Sequence, residues 1–194
     1  MPMFVAENTN VEVDGDTVRA IIAGMGNFKS RALEILQKNN IKDPKAGEWY
    51  KQQDWLNAFE EISTKLGANT LFAIGSKIPE MAKFPPQIDN IEKALSAIDI
   101  AYHMNHRLNG KVLFDPDTNT IHGGIGNYTF TKTGDSAGKI ICANPYPCDF
   151  DRGIIDGMAR RFKPEGSLLV VVKHNDAAPC RKKGAETCEY TIKW

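Results

Sequence analysis

No stretch of the chain approaches the run of about 20 apolar residues that a membrane span needs, so no membrane segment is expected. Charge of one sign is not in excess either. Twenty-four Lys and Arg balance 24 Asp and Glu, which leaves no electrostatic footprint for nucleic acid or an anionic surface. Gly24-Met-Gly26 precedes a helical pattern but lacks the third glycine and the lysine-hydroxyl pair of a phosphate loop, and it reads as a strand-to-helix turn. Neither a nicotinamide or flavin fingerprint nor a nucleophile elbow is present, so an enzyme is not the expected reading. Internal repeats and low-complexity segments are missing as well. Met1 to Asn8 has neither the basic region nor the apolar run of a signal peptide, which sets the expectation of a cytoplasmic protein. In that setting the four cysteines read as reduced thiols or metal ligands rather than as a disulfide frame.

What remains is ordinary globular composition, 42% hydrophobic and 25% charged, over a length that suits one domain spanning residues 1–194. Val11 to Ile22, broken at Asp14-Gly15-Asp16, reads as a short hairpin or edge strand. Helices are predicted over Phe28–Asn39, Trp49–Leu66, Asn69–Ile78 and from Asp89 to Arg107. Asp89 is the expected cap of the last, with Glu92 completing a capping box. From Lys111 the hydrophobic period changes to two, giving antiparallel strands up to Ala143. Asn144-Pro-Tyr-Pro147 halts them and starts a helix at Cys148 that runs to about Phe162. Ser167 to His174 reads as a strand of the sheet interior and Cys188 to Trp194 as the closing strand. The expected class is therefore α+β, with an N-terminal helical part (1–108) packed on a C-terminal antiparallel sheet (109–194).

Three of the four cysteines lie in two glycine-punctuated frames, Cys148-x4-Gly153-x3-Gly157 and Cys180-x3-Gly184-x3-Cys188. In the second frame the glycine permits a left-handed turn that brings both sulfurs to one side, the pattern of a metal knuckle. A third thiolate at Cys148 would tie the closing strand to the helix that Cys148 begins. Together the frames resemble the 4-vinyl reductase domain, a small-molecule-binding domain of phenol- and aromatic-sensing regulators, distantly similar in fold to TRAPP subunits and haem nitric-oxide-binding domains. The resemblance implies zinc on Cys148, Cys180 and Cys188, and homodimers that pass a signal onward. The family's regulators carry an ATPase and a DNA-binding module that this sequence lacks, so the signal would go to a separate protein. The upstream glutamate that completes zinc binding in the phenol sensors has no counterpart, which leaves His122, Asp135 or Cys142 for the fourth position. His122 is placed in the expected ligand set, whereas Cys142, inside an apolar strand, reads as a small buried hydrophobe.

A closed thiolate site has no open position for water, so the expected zinc is structural. The expected function is sensory: an apolar pocket for a small hydrophobic or aromatic molecule. Tyr102, His103 and His106 at the end of the fourth predicted helix are its candidate polar anchors, and Trp55 and Phe59 its candidate wall. The same aromatic stripe is most simply read as core. Haem or tetrapyrrole binding through His103 or His106 is the alternative, although the Tyr-x-Ser-x-Arg propionate motif of haem nitric-oxide-binding domains is absent.

Overall fold

The computed structural model describes all residues from Met1 to Trp194. Strand β1 (Val11–Asp14) leads directly into helix α1 (Gly15–Gly24), followed by a single 3-10 turn and α2 (Lys29–Lys38). Strand β2 (Trp49–Lys51), helices α3 (Gln52–Lys65), α4 (Ala68–Met81) and α5 (Ile91–Met104), and strand β3 (His106–Leu108) complete the first half. Short strands β4 (Lys111–Val112), β5 (Phe114–Asp115) and β6 (Thr120–Ile121) precede the long hairpin β7 (Asn127–Gly134) and β8 (Ala137–Ala143). Helix α6 (Cys148–Arg161), β9 (Val171–His174) and β10 (Cys188–Lys193) close the chain.

The class is α+β, as expected, but strands are not confined to the second half. A small antiparallel sheet of order β2-β1-β3-β4 lies within the first, and the larger sheet has the order β7-β8-β10-β9. The Val11–Ile22 hairpin expectation fails because the Asp14 side chain accepts the Asp16 amide and caps α1, while Val18 and Ile21 bury one helical stripe. Gly24-Met-Gly26 accordingly joins two helices rather than a strand to a helix. The helix expected from Trp49 begins at Gln52, after β2. In α5 the cap is Asn90, whose side chain accepts the Lys93 amide at 3.0 Å, and Glu92 instead pairs with Lys132. The Ser167–His174 run is a strand only from Val171. It forms the sheet edge rather than the interior, with Leu168 97% and Leu169 66% exposed.

Helix α6 sits at the centre. Its glycines are explained by α4: a Cβ on Gly153 would collide with the Phe72 carbonyl oxygen, and one on Gly75 with that of Phe150. The two backbones thus approach through glycine on both sides, which no larger residue permits. Gly153→Ala is expected to lower stability by about 2 kcal/mol in chemical denaturation through overpacking. Gly123→Ala, where a Cβ meets nothing within 4 Å, is expected to be nearly neutral in the same assay.

Candidate metal centre and ligand cavity

The knuckle forms as its spacing implies. Gly184 adopts φ +83°, and the Cys180 carbonyl accepts the amides of Lys183 (2.8 Å) and Ala185 (3.2 Å), which folds the loop back so that both sulfurs face α6. Cys148 is the first residue of α6. Its sulfur stands 3.2 Å from that of Cys188 and 3.8 Å from that of Cys180, and the remaining pair is 3.7 Å apart. No disulfide links them. A tetrahedral ion with bonds near 2.3 Å has edges of about 3.8 Å, so two of the three separations already match it.

The fourth ligand atom comes from His174, the last residue of β9, and the four ligand atoms lie within 4.8 Å of one another. His174 Nδ1 lies 2.8 Å from the Asp176 carboxylate, which orients the ring and fixes the proton on Nδ1. Nε2 is left buried and without a partner. An imidazole held this way beside three cysteines is the donor set of a closed tetrahedral site, and the residues fit a metal ion of the zinc type. None of the three residues proposed from sequence for the fourth position belongs to the group. His122 follows β6 with its amide on the Leu113 carbonyl, Asp135 is exposed in the β7–β8 turn, and Cys142 is buried in β8 as the cross-strand partner of Cys188.

Arg181, within the knuckle, was not foreseen. Its amide and its Nε each donate to Cys188 Sγ at 3.4 Å, its Nη1 donates to the Asn144 carbonyl and side-chain oxygen, and its Nη2 pairs with Asp151 on α6. Both side chains are fully buried. The Cys188 thiol is driven down to about 3, chiefly by its bond to Cys148 and next by Arg181, while Cys148 moves upward. The hydrogen bond from Cys148 and the Arg181 guanidinium thus both favour the thiolate form of Cys188, the form that binds a cation.

On the opposite face of α6, Phe150, Ile154 and Met158 recur at four-residue spacing and line a cavity of about 580 Å³. Helix α5 and the connection between α4 and α5, including Phe84, Pro85 and Ile88, form much of the rest. Trp55, Tyr102 and His106 are on its wall; Phe59 and His103 are not. Phe59 packs behind Trp55, Tyr146 and Phe150 with ring centroids 4.8, 5.9 and 4.6 Å away. His103, one position on from Tyr102, turns to the Asp99 carbonyl at 2.8 Å and is buried there. Tyr102, in the last turn of α5, and His106, the first residue of β3, meet on the wall with ring centroids 4.6 Å apart. Tyr128 and Tyr146 complete the polar part of the wall; Tyr146 lay inside a segment readable only as a strand stop.

His106 Nδ1 faces the Tyr102 carbonyl at 2.7 Å and must therefore carry the proton. Nε2 is then an acceptor, and the Tyr146 hydroxyl donates to it at 2.6 Å. Burial pushes His106 down to about 4, against the opposing pull of the Tyr102 carbonyl.

No family model matches the chain, and no curated protein does. Solved structures do. An H-NOX protein from S. oneidensis in its Fe(II)NO ligation state superposes with TM-score 0.62 at 13% identity, covering 93% of this chain and 98% of that one. A mutant of T. Tengcongensis H-NOX gives TM-score 0.62 at 16% identity, with 93% and 96% covered. A structure from a study of haem distortion in the H-NOX family gives 0.62 at 17%, with 93% and 94% covered. The chain therefore has an H-NOX-like fold, and no helix in it is long and apolar enough to cross a membrane.

Two outcomes follow from this geometry. His174→Ala is expected to weaken metal retention by roughly tenfold or more, since loss of even an orienting neighbour costs that much, while His122→Ala leaves it unchanged; Co(II) titration read through thiolate charge-transfer bands measures both. The neutral His106 also sets a pH dependence. Its unfolded-state value is near 6.5 and its folded value about 4, so the unfolded chain gains the proton first as pH falls. This contribution is fully present above pH 6.5 and drops by roughly 3 kcal/mol on acidification to about pH 4. In parallel denaturation curves at pH 7 and 4.5, His106→Gln is expected to lose less stability than wild type.

Proposed function

We propose that the chain is a sensory domain that holds a small, largely apolar molecule in the cavity between α5, α6 and the α4–α5 connection, and that Cys148, His174, Cys180 and Cys188 hold a structural zinc. The observation that carries the reading is the cavity wall. It is aromatic and aliphatic, and the three tyrosine hydroxyls and the histidine on it are bonded within the protein. Such a wall selects by shape, with few polar contacts to fix orientation. Zinc supplies charge neutralisation and a crosslink when bound; His174 and the cysteines hold it, and Asp176 and Arg181 orient that set. The 4-vinyl reductase resemblance of the cysteine frames supports the same reading. By analogy with that family, a homodimer passes the signal to a separate protein.

Haem is the second reading, and the fold comparison favours it, because the neighbours are described with haem. The wall residues fit haem poorly. His106 is the one histidine on the wall, and its two nitrogens already face Tyr102 and Tyr146. Lys83, at the exposed rim, is the one cation there to meet propionates.

Elemental analysis and an absorption spectrum of the same purified sample separate the readings. One zinc per chain, no Soret band and thermal stabilisation by toluene are expected; a ligand at 100 times its Kd contributes about 2.7 kcal/mol. A Soret band with stoichiometric hemin uptake that His106→Ala abolishes would overturn the first reading in favour of the second.

A further inference from the structure

We propose that the connection between α4 and α5, residues 82–90, is a movable strap at the mouth of the cavity, and that Arg161 is the latch that sets how fast a ligand passes it. The inference rests on the cavity being the ligand site.

The exposed residues of the wall are Lys83, Pro85 and Met104. They mark the mouth, with the connection on one side and the last turn of α5 on the other. Ala82, Lys83, Phe84, Pro85 and Ile88 all line the cavity, while Pro86 and Gln87 between them are exposed. A single thickness of chain therefore separates the cavity from solvent here.

Little else holds the strap. The Ile88 amide donates to the Pro85 carbonyl at 3.0 Å, a bond internal to the strap, and Pro85 and Pro86 have no amide hydrogen to give. Arg161, in the last turn of α6, supplies the hydrogen bonds that join its start to another element. The Arg161 Nη1 donates to the Ala82 carbonyl at 2.9 Å and to the carbonyls of Pro79 and Glu80, oxygens that the end of α4 leaves without an intrahelical partner. A cation suits that end of a helix. The guanidinium also lies 4.7 Å from the centroid of the Phe84 ring, and Phe84 meets Phe162 edge-on with centroids 5.2 Å apart. One side chain of α6 thus grips both the backbone and the wall aromatic of the strap. Neither Arg161 nor Phe162 belongs to the wall, so loosening the latch speeds entry and exit alike and leaves affinity largely in place.

Stopped-flow fluorescence of N-phenyl-naphthylamine, a neutral apolar dye that brightens on leaving water, tests this on the full chain. In Arg161→Met, which keeps an apolar stem and removes the donors, the association and dissociation rate constants are both expected to rise by roughly five- to tenfold, with the dissociation constant held within about twofold. Phe162→Leu, which removes the edge-on contact with Phe84, is expected to move both rates in the same direction. Lys163→Ala, two positions beyond Arg161 and bonded to the Ser167 carbonyl, is expected to change neither. Unchanged rates in both Arg161→Met and Phe162→Leu, or faster exit without faster entry, overturn the latch and leave the cavity reading intact. Failure of wild type to take up the dye overturns the cavity reading and this inference together.

Discussion

The buried pair of Arg181 and Asp151 is the constraint that orders the rest of the second half. Two full charges with no solvent exposure are tolerated only when their remaining hydrogen-bonding capacity is met, and here it is. Arg181 also serves Asn144 and Cys188, and Asp151 also accepts Tyr128 and Asn144. The carboxyl of Asp151 is nonetheless raised, because burial outweighs the guanidinium beside it. Removing either partner would strand the other charge in the core, a change that costs about 3–5 kcal/mol in comparable cases. The pair therefore fixes where the knuckle loop, the end of β8 and the first turn of α6 meet, with or without a metal ion.

That placement makes α6 a partition between two sites. Cys148 faces the knuckle; Phe150, Ile154 and Met158, at four-residue spacing, face the cavity; Gly153 and Gly157 face α4. Asp151 joins the two sides. Tyr128 on the cavity wall bonds to Asp151, Asp151 to Arg181, and Arg181 to the Cys188 sulfur. A shift of Tyr128 would change the partner of a charge whose other end reaches the Cys188 sulfur. Buried networks of this kind respond as a unit rather than bond by bond.

Much of this was legible in the sequence, and the losses have physical causes. The cysteine frames are local: a left-handed glycine between two cysteines dictates the knuckle whatever surrounds it, and the stripes of α3 and α5 declare themselves by helical period. The segment after Asp14 misled because Val18, Ile21 and Ile22 are β-branched, and one side-chain cap outweighed their strand preference. Leu168-Leu-Val-Val-Val172 resembled a buried strand by composition, but only a fold-level arrangement decides which strand takes the edge. His174 was missed as a candidate for the fourth position for the same reason. It enters the site because β9 runs antiparallel beside β10 and sets His174 opposite Tyr190, two residues beyond Cys188. Sequence does offer a hint there: His174 and Asp176 immediately precede the knuckle, in the alternation of a ligand with the carboxylate that orients it.

The likeness to H-NOX structures fixes the fold and leaves the occupant of the cavity to its wall, since function belongs to sites rather than to folds. In this wall the one histidine, His106, is held neutral by burial and joined at both nitrogens to tyrosines. To ligate a metal, Nε2 would have to release the Tyr146 hydroxyl, whose other neighbour is the Gln52 amide. The Gln52–Tyr146–His106–Tyr102 chain turns the wall's histidine and these two tyrosines toward partners inside the protein, which leaves the cavity a largely apolar surface. A wall so built distinguishes apolar molecules by volume and shape, with few polar contacts to fix their orientation.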